Sequence, residues 1–476
     1  MGLAPFTRII ISAILLLYLA LDGCQGQLIK PPFNAKEALA LARKATVGAL
    51  GPDFKTFNVI DYGAKPDGTT NNAFAFMKTF NEACHFNGNA MMVIPEGKFL
   101  LGSVNFKGIC SNPSPLIVLV NGYILATPTL EGYPEGDWIN FQHINGLILT
   151  GHGTFHGQGP TVWQQKPKIT ATNPGGRRPG SLKFNDVDNA IIRGITSIDA
   201  KGFHIFISNS ENFRIFNIDI QAPDTSPNTD GIHMSKSSVV KISKSKIATG
   251  DDCVSMIHGC SKISIKKVVC GPGHGFSIGS LGHYEGETDA KGIIMKNCTM
   301  IQSPLSVLIM VQFFTMIPLT SVSLGIGSLG HYEQETDVSG ILVKNCTMSN
   351  TDNGLRIKTY RSPFPSKASN IVFQDISMTR VLSPIIIDQE YGESLKGGKT
   401  SQVSISDVFF TNVRGTSASK TAVSLICSPT NPCSNIHLTN IDLKYDGKVD
   451  NKLYMSSCSN VQPIYAGIQD PAPCPR

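Results

Sequence analysis

The sequence predicts an all-β chain wound as a single-domain β-solenoid, with a short helix capping its N-terminal end. A short pattern returns from residue 145 to 445: a Ser/Asn/Gly turn, two or three alternating apolar residues, then Asn, Lys or Ser. Ile192, Phe213, Val240, Ile263, Ile293, Ile341, Ile371, Val403 and Ile436 mark it, mostly about 21–33 residues apart, the length of one coil that hides its inward face by stacking on its neighbours. Only 16% of the 476 residues are charged while 41% are hydrophobic, a balance that suits many tight turns and excludes long amphipathic helices. A β-sandwich is the competing reading, but it turns about every 8–12 residues.

Taken in order, residues 1–26 read as a secretory signal: Arg8 opens it, Ile9 to Leu21 is an uncharged apolar run, and Cys24-Gln25-Gly26 precedes the cleavage point. That apolar run is short for a membrane span, so a secreted chain is expected. Residues 27–54 form an extension that holds a short helix, Lys36 to Lys44. A strand over Phe57 to Gly63 comes next. Asn71 to Cys84 carries Phe74, Met77 and Phe80 at helical spacing and supplies the cap. The solenoid is expected over 55–460, with a tail over 461–476.

Removing the signal leaves eleven cysteines. In an oxidising compartment, spacing favours Cys427 with Cys433 and Cys458 with Cys474, and an odd total leaves at least one thiol unpaired. The net charge of +6 attracts polyanions, and outside a cell an acidic polysaccharide is the available one. No Lys/Arg run with interleaved aromatics supports a nucleic-acid partner.

One feature breaks the repeat. Ile278 to Ile301 recurs as Ile326 to Ser349 at a constant offset of 48, with diverged positions such as Gly286/Gln334 and Met295/Val343. Leu305 to Leu324 between the copies is uncharged, but Gln312 and Pro318 make it a poor membrane span. Residues 301–348 are therefore a surplus segment. Threaded into the solenoid as two coils, they carry whatever follows away from whatever precedes by roughly 10 Å. Extruded, they leave the coils untouched but expose the apolar run. Asn297-Cys-Thr299 and Asn345-Cys-Thr347 are glycosylation sequons, one in each copy.

Four elements carry chemistry: Asn228-Thr-Asp-Gly-Ile-His233, Gly250-Asp-Asp-Cys253, Gly273-His-Gly275 and Arg356-Ile-Lys358. Asp230 and Asp251 precede successive strand markers by similar distances, so neighbouring coils, about 4.8 Å apart, place them nearly one above the other. With Asp252 they crowd three carboxyl groups into one patch, which raises the pKa of at least one. A protonated acid beside ionised carboxylates is what glycosidic cleavage by inversion requires. Gly250 is expected to let the adjacent aspartates turn into a cleft. His274 is placed to orient the acid. Arg356 and Lys358 share one strand face and suit a substrate carboxylate. The histidines and cysteines lack metal-ligand spacing along the chain, so no metal is expected.

At these residues the chain resembles the polygalacturonases, family 28 glycoside hydrolases that cleave α-1,4-galacturonosyl bonds in pectin, and among them plant exo-acting members. The likeness runs from residue 56 to 460 and includes Gly151-His-Gly-Thr-Phe-His-Gly-Gln-Gly159 with Trp163. It implies a right-handed parallel β-helix, a monomer of the cell wall, and no cofactor. It further implies Asp251 as proton donor, Asp230 and Asp252 as the carboxylates holding the attacking water, and His274 as the active-site histidine. Asn228, Arg356, Lys358 and Tyr391 match substrate-binding positions. Cys253 with Cys270, and Cys84 with Cys110, match bridges of the family. The surplus segment departs from the pattern and raises the alternative of a catalytically impaired pectin-binding solenoid. A pectin lyase on the same fold would need calcium carboxylates and an arginine base.

Overall fold

A short apolar strand hides its alternate side chains only when the next strand lies on top of it, and this chain stacks its strands throughout. The computed structural model describes residues 35–44, 53–133, 136–166, 176–283, 285–302, 323–446 and 454–475. Among them the strands join into one parallel network in which each coil pairs with the coil before and after it. The architecture is the expected right-handed parallel β-helix.

The recurrent apolar residues form inward columns. Ile263, Ile293, Ile341 and Ile371 are consecutive register partners, and Val408 and Ile436 continue the same column. None of the six is more than 1% exposed, and each such side chain contributes about 1.5–3 kcal/mol through burial. The expected rung at Val403 is displaced: Val408 takes its place, while Val403 lies just before the strand Ser404–Ser417 and accepts from Gln389 Nε2 at 2.8 Å. Ile192 pairs with Ile215, and Ala190 rather than Ile192 faces Phe213. Coil length therefore varies by whole loops while the columns hold their register.

Corners repeat as strictly as the columns. Asn189, Asn212, Asn297, Asn345, Asn412 and Asn440 all adopt left-handed backbone, with φ of 52–57°, a conformation asparagine tolerates better than other side chains. Their amides stack as ladders, Asn212 donating to Asn189 at 2.6 Å and Asn345 to Asn297 at 2.9 Å.

Helix α1 (Ala35–Lys44) lies on the outer surface, where Ala38 and Ala42 pack against Met91, Val93, Ile117 and Leu119. Helix α2 (Ala73–Cys84) caps the interior with Phe76 and Phe80, the latter stacked on Phe106 at 4.6 Å, and the Cys84–Cys110 bridge pins it. The bridges Cys253–Cys270, Cys427–Cys433 and Cys458–Cys474 are also present, and Cys260, Cys298 and Cys346 remain free and buried. The expected tail carries a strand, Ile464–Asp470, that extends the sheet beside Ser434–Tyr445. The signal-like residues 1–26 and most of Leu305 to Leu324 lie outside the described residues. Among the described residues no helix is long and apolar enough to cross a membrane.

Candidate active site

One face of the helix gathers the chemistry. Its successive strands are Ile232–Ser235, Asp252–Met256, Gly275–Ile278, Ser323–Leu329, Asn353–Tyr360 and Ser383–Tyr391. Asp230, Asp251 and His274 precede the first three, so register stacks them along one edge. A register shift between Asp252 and Val254 brings the adjacent aspartates to the same side, as bulges re-aim side chains elsewhere. The role expected of Gly250 is different in the structure: a Cβ there would lie 2.1 Å from Ser226 O, so this glycine permits close approach of backbone.

Asp251 is the hub. Its Oδ1 accepts from Asp252 N at 2.9 Å and meets His274 Nδ1 at 2.9 Å, and its Oδ2 accepts from Asn228 Nδ2 at 3.3 Å. His274 N donates to Asp251 O at 2.7 Å. Gly273, with φ of 142°, fits there because a Cβ would stand 2.7 Å from that same carbonyl.

Burial, reinforced by the Asp251 charge, pushes Asp230 well above the usual carboxylate range, against the pull of His274 and a Ser255 hydrogen bond. Asp252 is raised by burial and then by its two carboxylate neighbours, with His274 and Lys358 opposing. The hydrogen bond to Asp251 raises His274 against its own burial. The carboxyl cluster thus holds a proton at a pH where an isolated carboxyl has lost it.

His233 was passed over in the sequence despite standing three residues from Asp230. Its Nδ1 lies 2.8 Å from Asp230 Oδ2, and its ring stacks on Phe203 at 4.2 Å and 8°. Burial, aided by the Arg177 charge, holds it down to about 3, so the contact is a hydrogen bond of a neutral imidazole. The signal was the Asp-x-x-His spacing itself, read there only as part of a motif.

A second group stands further along the face. Arg356 and Lys358 project outward from Asn353–Tyr360, their charged ends 4.9 and 4.5 Å from the ring centroid of Tyr391. Among the described residues, the buried Arg356 Nε has no hydrogen-bond partner.

Residues 84–313 and 309–469 match, as two segments, the family described as Glycosyl hydrolases family 28. The chain belongs to this family. An exopolygalacturonase of Arabidopsis thaliana is 40% identical over 430 residues, covering 88% of each chain. A polygalacturonase of Gossypium hirsutum is 37% identical over 449 residues, covering 93% of this chain and 97% of its own. In fold it is similar to an exopolygalacturonase from Thermotoga maritima, with a TM-score of 0.60 at 21% identity over 90% of this chain and 94% of that one.

The family match divides inside the surplus segment, and the structure accounts for it. This family 28 hydrolase threads the second copy, Ser323 to Ser349, as one coil between Gly275–Ile278 and Asn353–Tyr360. The expectation of two added coils and roughly 10 Å is corrected to one coil and about 4.8 Å, because Ser323–Leu329 pairs directly with Gly275–Ile278 on one side and with Asn353–Tyr360 on the other. Extrusion is likewise overturned for the second copy. The intervening strand has glycine opposite the cations: Gly325 pairs with Arg356, and Gly327 packs against the Lys358 backbone, where a Cβ would stand 2.0 Å from Lys358 O. The Lys358 charge is felt at Asp252.

Chain spacing gave no hint of a metal-ligand set; in the fold, Asp251, Asp252 and His274 place one potential ligand atom each within 4.8 Å of one another. Asp251 Oδ1 and His274 Nδ1 already satisfy each other there.

Proposed function

We propose that this family 28 hydrolase cleaves α-1,4-galacturonosyl linkages of polygalacturonate with inversion, attacking from a chain end as a secreted monomer of the cell wall. The observation that carries the reading is the clustering of Asp230, Asp251 and Asp252 around His274, with Arg356, whose Nε lacks a partner among the described residues, further along the same face. Asp251 protonates the glycosidic oxygen: its side chain is 19% exposed against 8% for Asp230, so it reaches the cleft. Asp230 and Asp252 hold a water and take its proton as it attacks the opposite face of the sugar. His274 orients Asp251. Asn228 borders the acid, and Arg356, Lys358 and Tyr391 receive a substrate carboxylate and sugar ring.

The test is release of reducing ends from polygalacturonic acid, with product size and anomer followed by NMR. Monomer released first in the anomer opposite to the substrate linkage is expected. An unsaturated product absorbing in the ultraviolet would replace hydrolysis by elimination, and binding without release would leave the impaired solenoid. Exhaustive chelation is expected to leave the rate within about two-fold, since no step here uses a Lewis acid. A loss reversed by a divalent cation would assign Asp251, Asp252 and His274 to a metal instead.

A further inference from the structure

We propose that the surplus coil adds one uronate-binding position to the cleft, walled by His331 and Tyr332 and lying between the carboxyl cluster and the Arg356/Lys358 pair. The inference rests on the polygalacturonase reading above. Duplication copied a Gly-His-Tyr-Glu loop, and stacking of the coils turns the copies into a row of rings. His283 Nδ1 lies 2.8 Å from the Tyr332 hydroxyl, with the rings 5.1 Å apart. The His331 ring stands 4.3 Å from Tyr332 and 4.9 Å from Tyr360, and Tyr360 is 5.4 Å from Tyr391. The row crosses four coils and ends on the ring beneath the two cations.

The loop is ordered before any ligand arrives. Buried Glu335 accepts from Gly330 N at 2.7 Å, His331 N at 2.9 Å and Ser366 Oγ at 3.2 Å. A site whose rings are held in this way spends little ordering on binding. The strand beside it is clear: the outward column reads Ser255, Ser277, Gly325, Arg356, and a Cβ at Gly325 would meet only Ser323 Oγ at 3.6 Å and Phe276 O at 4.0 Å. The neighbouring coil has Ser277 at the register position of Gly325, so the added coil offers no side chain where a sugar would pass. Aromatic faces receive the apolar face of a pyranose, and the imidazole N–H and the nearby cations suit its carboxylate.

The position stands next to the reacting bond, so a digalacturonide already occupies it, and only longer oligomers reach on to Arg356 and Lys358. The experiment compares the full chain with Tyr332→Ala, Tyr332→Phe and Gly325→Leu, on a digalacturonide and on a long oligogalacturonide, by kinetics and by calorimetric binding. Tyr332→Ala and Gly325→Leu are expected to weaken the affinity of both oligomers about ten-fold, and Tyr332→Phe to retain binding. Unchanged affinity of both oligomers in Tyr332→Ala overturns the added position while leaving hydrolysis standing. A full chain that neither binds nor cleaves either oligomer overturns both. Equal melting temperatures across the set separate loss of contact from loss of fold.

Discussion

Asp251→Asn is expected to lower kcat on polygalacturonate by about 10²–10⁴-fold while leaving affinity nearly unchanged. The amide preserves the shape of the side chain. It can still accept from Asp252 N and meet His274 Nδ1, so the edge of the face stays ordered. What it lacks is the proton for the leaving oxygen. The check is a pair of measurements on one preparation, turnover by reducing ends and affinity by calorimetry. Turnover equal to the parent would remove Asp251 from the acid role, and a parallel loss of affinity would make it a binding residue.

Asp230→Asn is expected to move activity and stability in opposite directions. Burial and the Asp251 charge raise Asp230 in the folded chain, whereas the unfolded carboxyl titrates near its ordinary value of 3.8. A carboxyl raised on folding binds its proton more tightly in the native state, so its contribution is fully present below about pH 3.8. That contribution is lost as pH rises through the raised value. At neutral pH this carboxyl therefore works against the fold. Asparagine removes the burden and its amide still offers His233 Nδ1 a hydrogen-bonding partner in either tautomer, so stability at pH 7 should rise by on the order of 1 kcal/mol, with no gain below pH 3.8. Turnover should fall about 10²-fold or more for want of a base. Thermal melts at both pH values, together with rates, give the answer. A variant less stable at pH 7 would mean that the contact with His233 outweighs the burial of the charge.

Legibility followed periodicity. Ile263, Ile293, Ile341 and Ile371 could be read as a column because coils of regular construction return them to one inward position. Val403 misled because a longer loop intervenes, and spacing cannot tell loop residues from strand residues. The surplus segment misled for the same reason: 48 residues equal two coils by average period, yet the described part makes one. The carboxyl cluster was visible as an ordered set of short motifs. His233 and the ring row were not, since a pair across a strand edge or between stacked loops is a property of register, which a single chain of letters does not display. The potential ligand set of Asp251, Asp252 and His274 escaped on the same ground, its members coming from two coils.

The asparagine corners set a rule for how this molecule can grow. Successive turns offer a left-handed residue at the same angular place, and the side-chain bonds Asn345 to Asn297, Asn412 to Asp375 and Asn440 to Asn412 check those turns against their neighbours. An inserted length that completes a turn is accepted wherever it falls, as an in-frame codon is accepted by a message. One that stops short rotates every later side chain, inward to outward. The duplication here obeys that frame: Asn345 stands on Asn297 and Thr347 on Thr299. The helix therefore lengthens in discrete steps, and the reach of its cleft changes by steps of the same size.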